Sequence, residues 1–462
     1  MAATDILGPA DAAHLLRRAG FGATAKDLTQ FAPLTRAAAV SELLGTKPRS
    51  SRPPSGKDTA DTLAKMQRWW LKQMLSPKWR LHEKIALFWH AHFGTGWSTL
   101  PQSAKLARQN ALFRQLGLGP FRTLLYEVTR DGAMLEARDG VRNGIPAPNE
   151  NYASELLESY TLGALDANGM PNFTQTDVGE FARALTGYRI AAKAQFGKIE
   201  PAAFDSNDKH VFAGRTGEAT GNLGIEDETG AQFPAATNLL DILLAQRDSD
   251  DRPTVARFLT RRLWEWLAYP APDLALIDAL ADVFVASGYQ TGALVQAILT
   301  HDEFYSDAAR SSTARTPVDF ALASLRALGA SSSLAALPAA LGDMGMALFD
   351  PPGVEGWPSG EAWLAFGRYL ARIDFAQTLA AGRSGRTYSL NAKKLFAAPA
   401  VDDAAVVDGL LATLDVVPSD SSRQVLLDYL ATAVGLAAKD RLERKLRGLV
   451  ALALTLPEYQ LH

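Results

Sequence analysis

The sequence predicts an all-α fold: a large multi-helix body with one long glycine-rich loop inserted, roomy enough for a short hairpin. Three observations carry that prediction. Apolar residues recur at helical spacing along most of the chain. Helix starts are marked by Ser or Thr caps, followed by a first-turn proline or a third-position acid. Helix stops are marked by single glycines. There is no heptad run and no regular internal repeat, so neither a coiled coil nor a solenoid is expected.

The elements follow in order. Met66, Trp69, Trp70 and Met74 share one helical face. Ser76-Pro77 reads as a cap and first-turn proline, opening a helix through Leu81, Ile85 and Phe88 that Gly94 and Gly96 stop. Asn149–Leu162 is a helix ended by Gly163. Thr174-Gln175-Thr176-Asp177 is a capping-box pattern that opens a helix through Val178, Phe181 and Leu185, closed at Gly187. Val255, Phe258, Leu259, Leu263 and Trp266 line one helix face, with Arg257, Arg261 and Glu265 spaced for pairing on the other. Leu274–Ser287 is a helix before Gly288, and Thr316-Pro317-Val318-Asp319 repeats the cap, proline and acid. Val401–Leu414, Ser422–Leu436 and Leu442–Leu454 are the last helical patterns. Residues 46–60, 188–235 and 350–360 break the helical period and read as loops. The pattern divides into an N-terminal helical lobe with the candidate site (1–190), a loop or hairpin insertion (191–250), a second helical lobe (251–385) and a C-terminal helical segment (386–462).

Composition removes several functions. The 462 residues include no cysteine, which excludes thiolate catalysis, Cys-ligated metals and disulfides. With 47 Lys+Arg against 50 Asp+Glu the formal net charge is −3, so no global basic field is present to hold nucleic acid. No stretch reaches the roughly 20 apolar residues of a membrane helix. Asp5, Asp11, Arg17 and Arg18 interrupt any signal-like apolar run, so the expected compartment is the cytoplasm by absence of a signal.

No P-loop, dinucleotide fingerprint, HExxH or nucleophile elbow occurs, so chemistry must come from clusters. His90 and His92 stand two apart. On a helix they point about 200° apart and cannot share one ion. His92 continues the Leu81–Ile85–Phe88 face toward the core. Asn151, Glu155 and Glu158 make one stripe, with Tyr152, Leu156 and Tyr160 beside it and Glu150 just before. Two carboxylates one turn apart repel unless a proton, a cation or an arginine intervenes, which suits acid–base work, a metal site or an arginine clamp. Asp177 reads first as the capping acid, and Glu180 with Arg183 as a local pair. Trp97 and Trp357 adjoin glycine-rich turns, where aromatics can stack on a sugar. His14, Arg17 and Arg18 form a small basic patch, read as an anion site or a salt-bridged structural helix.

Read together, HLLRRAGFG, EKIALFWHAHFGT, NENYASELLESYTLG, FTQTDVGEFARALTGY, PTVARFLTRRLWEWL, TPVDFALASLRALG and FDPPGVEGWPSGEAWL resemble, in order, the blocks of the bacterial domain of unknown function 1800 family. The resemblance runs from His14 to about residue 440. It implies a mainly helical bacterial protein without a settled activity. It further implies a partner, the sulfatase-like domain of unknown function 1501 protein often encoded beside it, and with that export in a signal-bearing partner's company. The family's His-Asp pair after the ALTG block is matched here by Asn207-Asp208, with His210 two further on. Tyr160 stands where relatives often have His or Phe, which lowers the expectation of a metal.

The leading functional reading is a carboxylate-based hydrolase of a glycan or similar polar polymer. Glu155, Glu158, Glu150 and His90 are its candidate catalytic residues. His92, Asn151, Tyr152, Asp177, Arg183, Trp97, Trp357 and Asp208 are its candidate substrate-binding residues. One helix cannot place both glycosidase carboxylates, which need a separation on the order of 5 Å or more, so Asp131, Asp177 or Asp208 would supply the second. The alternatives are a metal-dependent enzyme using the same His and Glu residues, and a non-catalytic assembly or export partner of the sulfatase-like protein. No cofactor is assigned, a divalent metal being left open.

Overall fold

In the computed structural model, which describes residues 5–46, 51–191, 194–225, 237–310, 312–382, 387–396, 402–432 and 445–462, the helix Arg80–Phe93 organises the packing. Of its residues only Ala91 escapes full burial. A helix buried on every side must be wrapped rather than laid on a neighbour. Ala60–Met74, Ser103–Leu116 and the turn Leu156–Thr161 all pack on it. Its charged residues tolerate burial because each is paired. Glu83 accepts from Arg114 at 2.5 and 2.9 Å and from the Trp70 indole at 2.8 Å, while Lys84 donates to both Asp319 oxygens at 2.7 and 2.9 Å.

This helix begins later than the sequence predicts. Ser76-Pro77 lies in a turn, and the helix opens at Arg80 behind Trp79, whose side chain makes no capping bond. A proline's fixed φ serves a turn as well as a first helical turn, and Arg80 Nε donates to the Pro77 carbonyl at 2.9 Å. The stop at Gly94 is as expected, with φ 49°. A Cβ there would lie 2.2 Å from the Val354 carbonyl oxygen, and one on Gly356 would lie 2.2 Å from that of Ala91. These two glycines let the 350–360 loop close onto the helix end.

The chain is mostly helical, with four two-stranded sheets among the described residues. The expected caps at Thr174 and Thr316 are present. Thr254–Leu267 forms with Val255, Leu259 and Leu263 buried. Its Arg257 does not pair along its own helix. It binds Asp248, Asp250 and Asp278, because the 248–251 loop and the neighbouring Leu274–Ala286 helix bring carboxylates closer than Arg261 or Glu265 can offer. Of the last three helical patterns, Asp403–Leu414, Asp420–Ala431 and Arg447–Leu454 are formed, while residues 401, 433–436 and 442–444 lie outside the described residues. The N-terminal basic patch is structural. Arg18 donates to the carbonyls of Leu267 (2.7 Å) and Ala268 (2.6 Å) at a helix C-terminus, and His14 Nε2 bonds the Phe304 carbonyl at 2.8 Å.

The glycine-rich stretch is not a plain loop. Tyr188–Arg189 pairs antiparallel with Lys198–Ile199, and Lys209–Val211 with Ala219–Gly221; Leu223–Gly224 pairs parallel with Thr237–Asn238. Residues 192–193 and 226–235 of the stretch lie outside the described residues. One apolar core runs from Leu7 to Tyr459. No helix among the described residues is long and apolar enough to cross a membrane.

Candidate functional site

The Gln175–Ala184 helix and the Lys209–Gly221 hairpin face each other across an open polar cleft of about 570 Å³. The helix start sets one wall. The Thr174 hydroxyl accepts from Asp177 N at 3.2 Å, and Asp177 Oδ2 accepts in return from Thr174 N and Oγ1 at 2.7 Å each. The second oxygen of Asp177 accepts from Phe212 N at 2.5 Å. One carboxylate therefore caps the helix and anchors the hairpin to it.

The hairpin sets the other wall. Along its first strand the period-2 rule sends Lys209 and Val211 inward and leaves His210 exposed toward the cleft, with Asp208, just before the strand, exposed beside it. Thr220 is the cross-strand partner of His210 and also lines the cleft. His210 Nε2 bonds Glu218 Oε1 at 2.6 Å, its backbone N donates to Glu180 at 2.9 Å, and Glu218 also accepts from Gly214 N at 2.9 Å. The Gly214 amide first, and then His210, hold the Glu218 carboxyl below its usual range.

Arg183 ties the two walls. Nε donates to Asp205 at 2.8 Å, Nη1 to both Glu180 oxygens at 2.9 and 2.8 Å, and Nη2 to the Asp208 carbonyl at 3.1 Å. The bond to Asp205 does most to hold its pKa up. Lys209 is 1 % exposed and turned away from solvent. Its ammonium donates to the Asp205 carbonyl and to Asn222 Oδ1, and lies 4.6 Å from the Phe204 ring centre. Burial pushes its pKa down.

Of the residues singled out in the sequence, Asp177, Arg183 and Asp208 meet in this cleft, with Glu180 beside them. The others do not line it. Glu150 accepts from Gln175 Nε2 at 2.7 Å outside the lining, and Asn151 is exposed. Tyr152 is buried, its hydroxyl bonded to Thr129 at 2.8 Å. Glu155 and Glu158 do not form the expected stripe, because the helix passes into a π-turn at Leu156–Thr161. The wider turn rotates them apart and leaves Glu155 half-buried and Glu158 exposed.

His90 and His92 are core residues. His90 packs edge-on to Trp70 at 5.4 Å and against Trp357 at 5.4 Å, and His92 Nε2 bonds the Tyr160 carbonyl at 3.1 Å. Burial pushes both imidazoles down to about 3, with the Arg262 charge adding to the effect on His92. Trp357 is buried and Trp97 half-buried, so neither stands out as an exposed platform. Among the described residues no group of three or more His, Asp or Glu side chains converges as metal ligands would.

The residues that sequence reasoning undervalued are Lys209, His210, Glu218 and Thr220. The available signal was the short alternation Asp208-Lys209-His210-Val211 before a glycine-containing turn, an exposed-buried rhythm only a few residues long.

Compared with known proteins, residues 14–461 match a family model described as Protein of unknown function (DUF1800). No curated protein and no solved structure matches the chain.

Proposed function

Because the chain belongs to the DUF1800 family, whose description names no activity, we propose its function from the cleft itself: hydrolysis of a glycan or similar polar polymer. One observation carries the reading. Asp208, immediately before the strand Lys209–Val211, and His210 within it are both exposed and line an open groove, and His210 is bonded to Glu218. Where the chain is extended, residues two apart are separated by roughly 6–7 Å, room for a water between an acid and a base, as in the carboxyl pairs of inverting glycosidases.

With the Nε2 proton directed at Glu218, Nδ1 of His210 is the acceptor that takes a proton from water. Asp208, whose carboxylate has no hydrogen-bond partner among the described residues, is the group left to protonate the leaving oxygen. Glu180 and Arg183, held by each other and by Asp205, keep the walls in register. The openness of the groove favours a chain-like substrate over a small enclosed one.

The test is turnover of a panel of oligosaccharides by the purified full chain, its Asp208→Asn variant and its His210→Ala variant. General acid–base groups contribute about 10²–10⁴-fold, so each variant is expected to lose at least about a hundredfold on any accepted substrate. Unchanged turnover in both variants would overturn the reading.

A further inference from the structure

We infer that a buried nest of cations at the end of the N-terminal helix binds a small tetrahedral dianion, the chemistry shared by inorganic phosphate and sulfate. The nest shares no residue with the cleft and stands apart from the glycan reading. Arg17 and Arg18 close the helix Gly8–Arg18. Arg18 and Thr313 both donate to the Ala268 carbonyl, at 2.6 and 3.4 Å. From Thr313 the chain pairs antiparallel with residues 460–462 through the Ala314–Leu461 bridge. His462 N donates to the Thr313 carbonyl at 3.0 Å, and Arg315 N to that of Gln460 at 2.7 Å. Distant stretches thus bring Arg17, Arg18 and Arg315 together beside His462. The charges of Arg18, Lys84, Arg315 and Arg17 all bear on the His462 ring, which burial first and these cations second hold well below its usual pKa.

The nest carries more positive than negative charge. Lys84 pairs with Asp319, and Arg17 with Asp415. Arg372 adjoins the group, its Nη2 donating to the Arg315 carbonyl at 2.6 Å. Arg18, Arg315 and Arg372 are 1, 3 and 0 % exposed, and none has a carboxylate in ion-pair reach among the described residues. Carbonyls take some of their N–H groups: Arg18 donates to Leu267 and Ala268, and Arg315 Nε to Leu461 at 2.9 Å. A carbonyl is a dipole, however, and leaves the net charge of a buried guanidinium in place.

The carbonyls do not fill the donor set either. Arg17 Nε, Arg18 Nη1 and Arg372 Nε are buried without an acceptor among the described residues, and of the Arg315 guanidinium only Nε has one. Buried donors are ordinarily matched, so these point to a ligand. Guanidinium donors favour oxyanions, which accept through several oxygens at once. Donors arriving from separate chain segments suit a tetrahedral ion better than a planar carboxylate, and more than one unmatched charge suits a dianion better than a monoanion. Arg17, with its side chain 13 % exposed beside Asp415, is where the nest reaches the surface.

The experiment is equilibrium dialysis of the full-length protein, purified in chloride buffer, against radiolabelled phosphate and, separately, sulfate. Ion chromatography then identifies any anion released when the dialysed protein is unfolded. The expected result is one saturable site per chain, from which phosphate and sulfate displace each other and acetate displaces neither. The tighter of the two is the ion the nest prefers. Hydrogen bonds to charged groups are strong, so Arg315→Gln is expected to weaken binding at least about tenfold, and Arg17→Gln about three- to tenfold. If Arg315→Gln fails to fold, Arg17→Gln, the more exposed position, carries the test. No saturable uptake together with no released anion overturns the site. Uptake that the folded variants leave unchanged overturns it as well, since the ion then sits elsewhere. Displacement by acetate as effective as by sulfate overturns the assignment of a tetrahedral dianion.

Discussion

Two histidines one residue apart invite a metal or a catalytic pair, yet in this chain both serve the core. Their position has a thermodynamic consequence. Unfolded, an imidazole titrates near 6.5; folded, burial pushes His90 and His92 down to about 3. Between those values the unfolded chain binds more protons than the folded one, so stability rises with pH there. The contribution is complete above about 6.5 and is lost as pH falls toward 3, at about 1.4 kcal/mol per pH unit for each histidine. Urea unfolding at several pH values between 6 and 4.5 should show this slope, and His90→Gln should remove one histidine's share of it. Identical slopes in the two proteins would mean that His90 takes no part. Half of this was readable beforehand. His92 continues the Leu81–Ile85–Phe88 stripe, so its inward direction follows from helical spacing. His90 lies off that stripe, and its burial depends on Trp70, Phe349 and Trp357, which come from distant elements.

At the scale of elements, the helix cap at Thr174 is where local sequence and long-range structure meet. Thr174→Ala removes a capping acceptor and is expected to cost about 1 kcal/mol. Asp177→Ala removes the reciprocal cap bonds and also the bond to Phe212 N, so its cost should reach roughly 2–3 kcal/mol. Only the second change should loosen the hairpin, seen as faster amide exchange over residues 209–221. Equal exchange in Asp177→Ala and the parent protein would show that the anchor carries no weight. The capping role could be read from Thr174-Gln175-Thr176-Asp177 because all its partners lie within one turn. The anchoring role could not, because Phe212 is 35 positions away. The same division explains the other outcomes. Periodicity located the helices, but strands of two or three residues leave too short a rhythm to detect. The stripe of Asn151, Glu155 and Glu158 assumed a uniform helix, and the π-turn broke that assumption inside the motif. Ser76-Pro77 misled because a cap signal and a turn signal use the same two residues.

For the whole molecule the question is whether the textual lobes behave as separate units. The core is one apolar cluster from Leu7 to Tyr459, and a buried ion pair crosses it: Lys84 on the central helix and Asp319 on the Pro317–Ala327 helix, with side chains 2 % and 4 % exposed. Removing one partner strands the other charge in a low-dielectric interior, at about 3–5 kcal/mol. If the core is a single cooperative body, Lys84→Ala should lower the temperature of the entire thermal transition. If the lobes on either side of the pair fold independently, the same variant should instead split the calorimetric trace, melting one part early and leaving the other in place. The continuity of the core favours the first outcome. The double variant Lys84→Met, Asp319→Leu then separates charge from packing. Replacing a buried pair by apolar groups of similar volume is often neutral or stabilising, so it should recover most of the loss. A double variant as unstable as Lys84→Ala would mean that the pair matters for shape, through the turn Asp319 makes with Thr316, rather than through its charge.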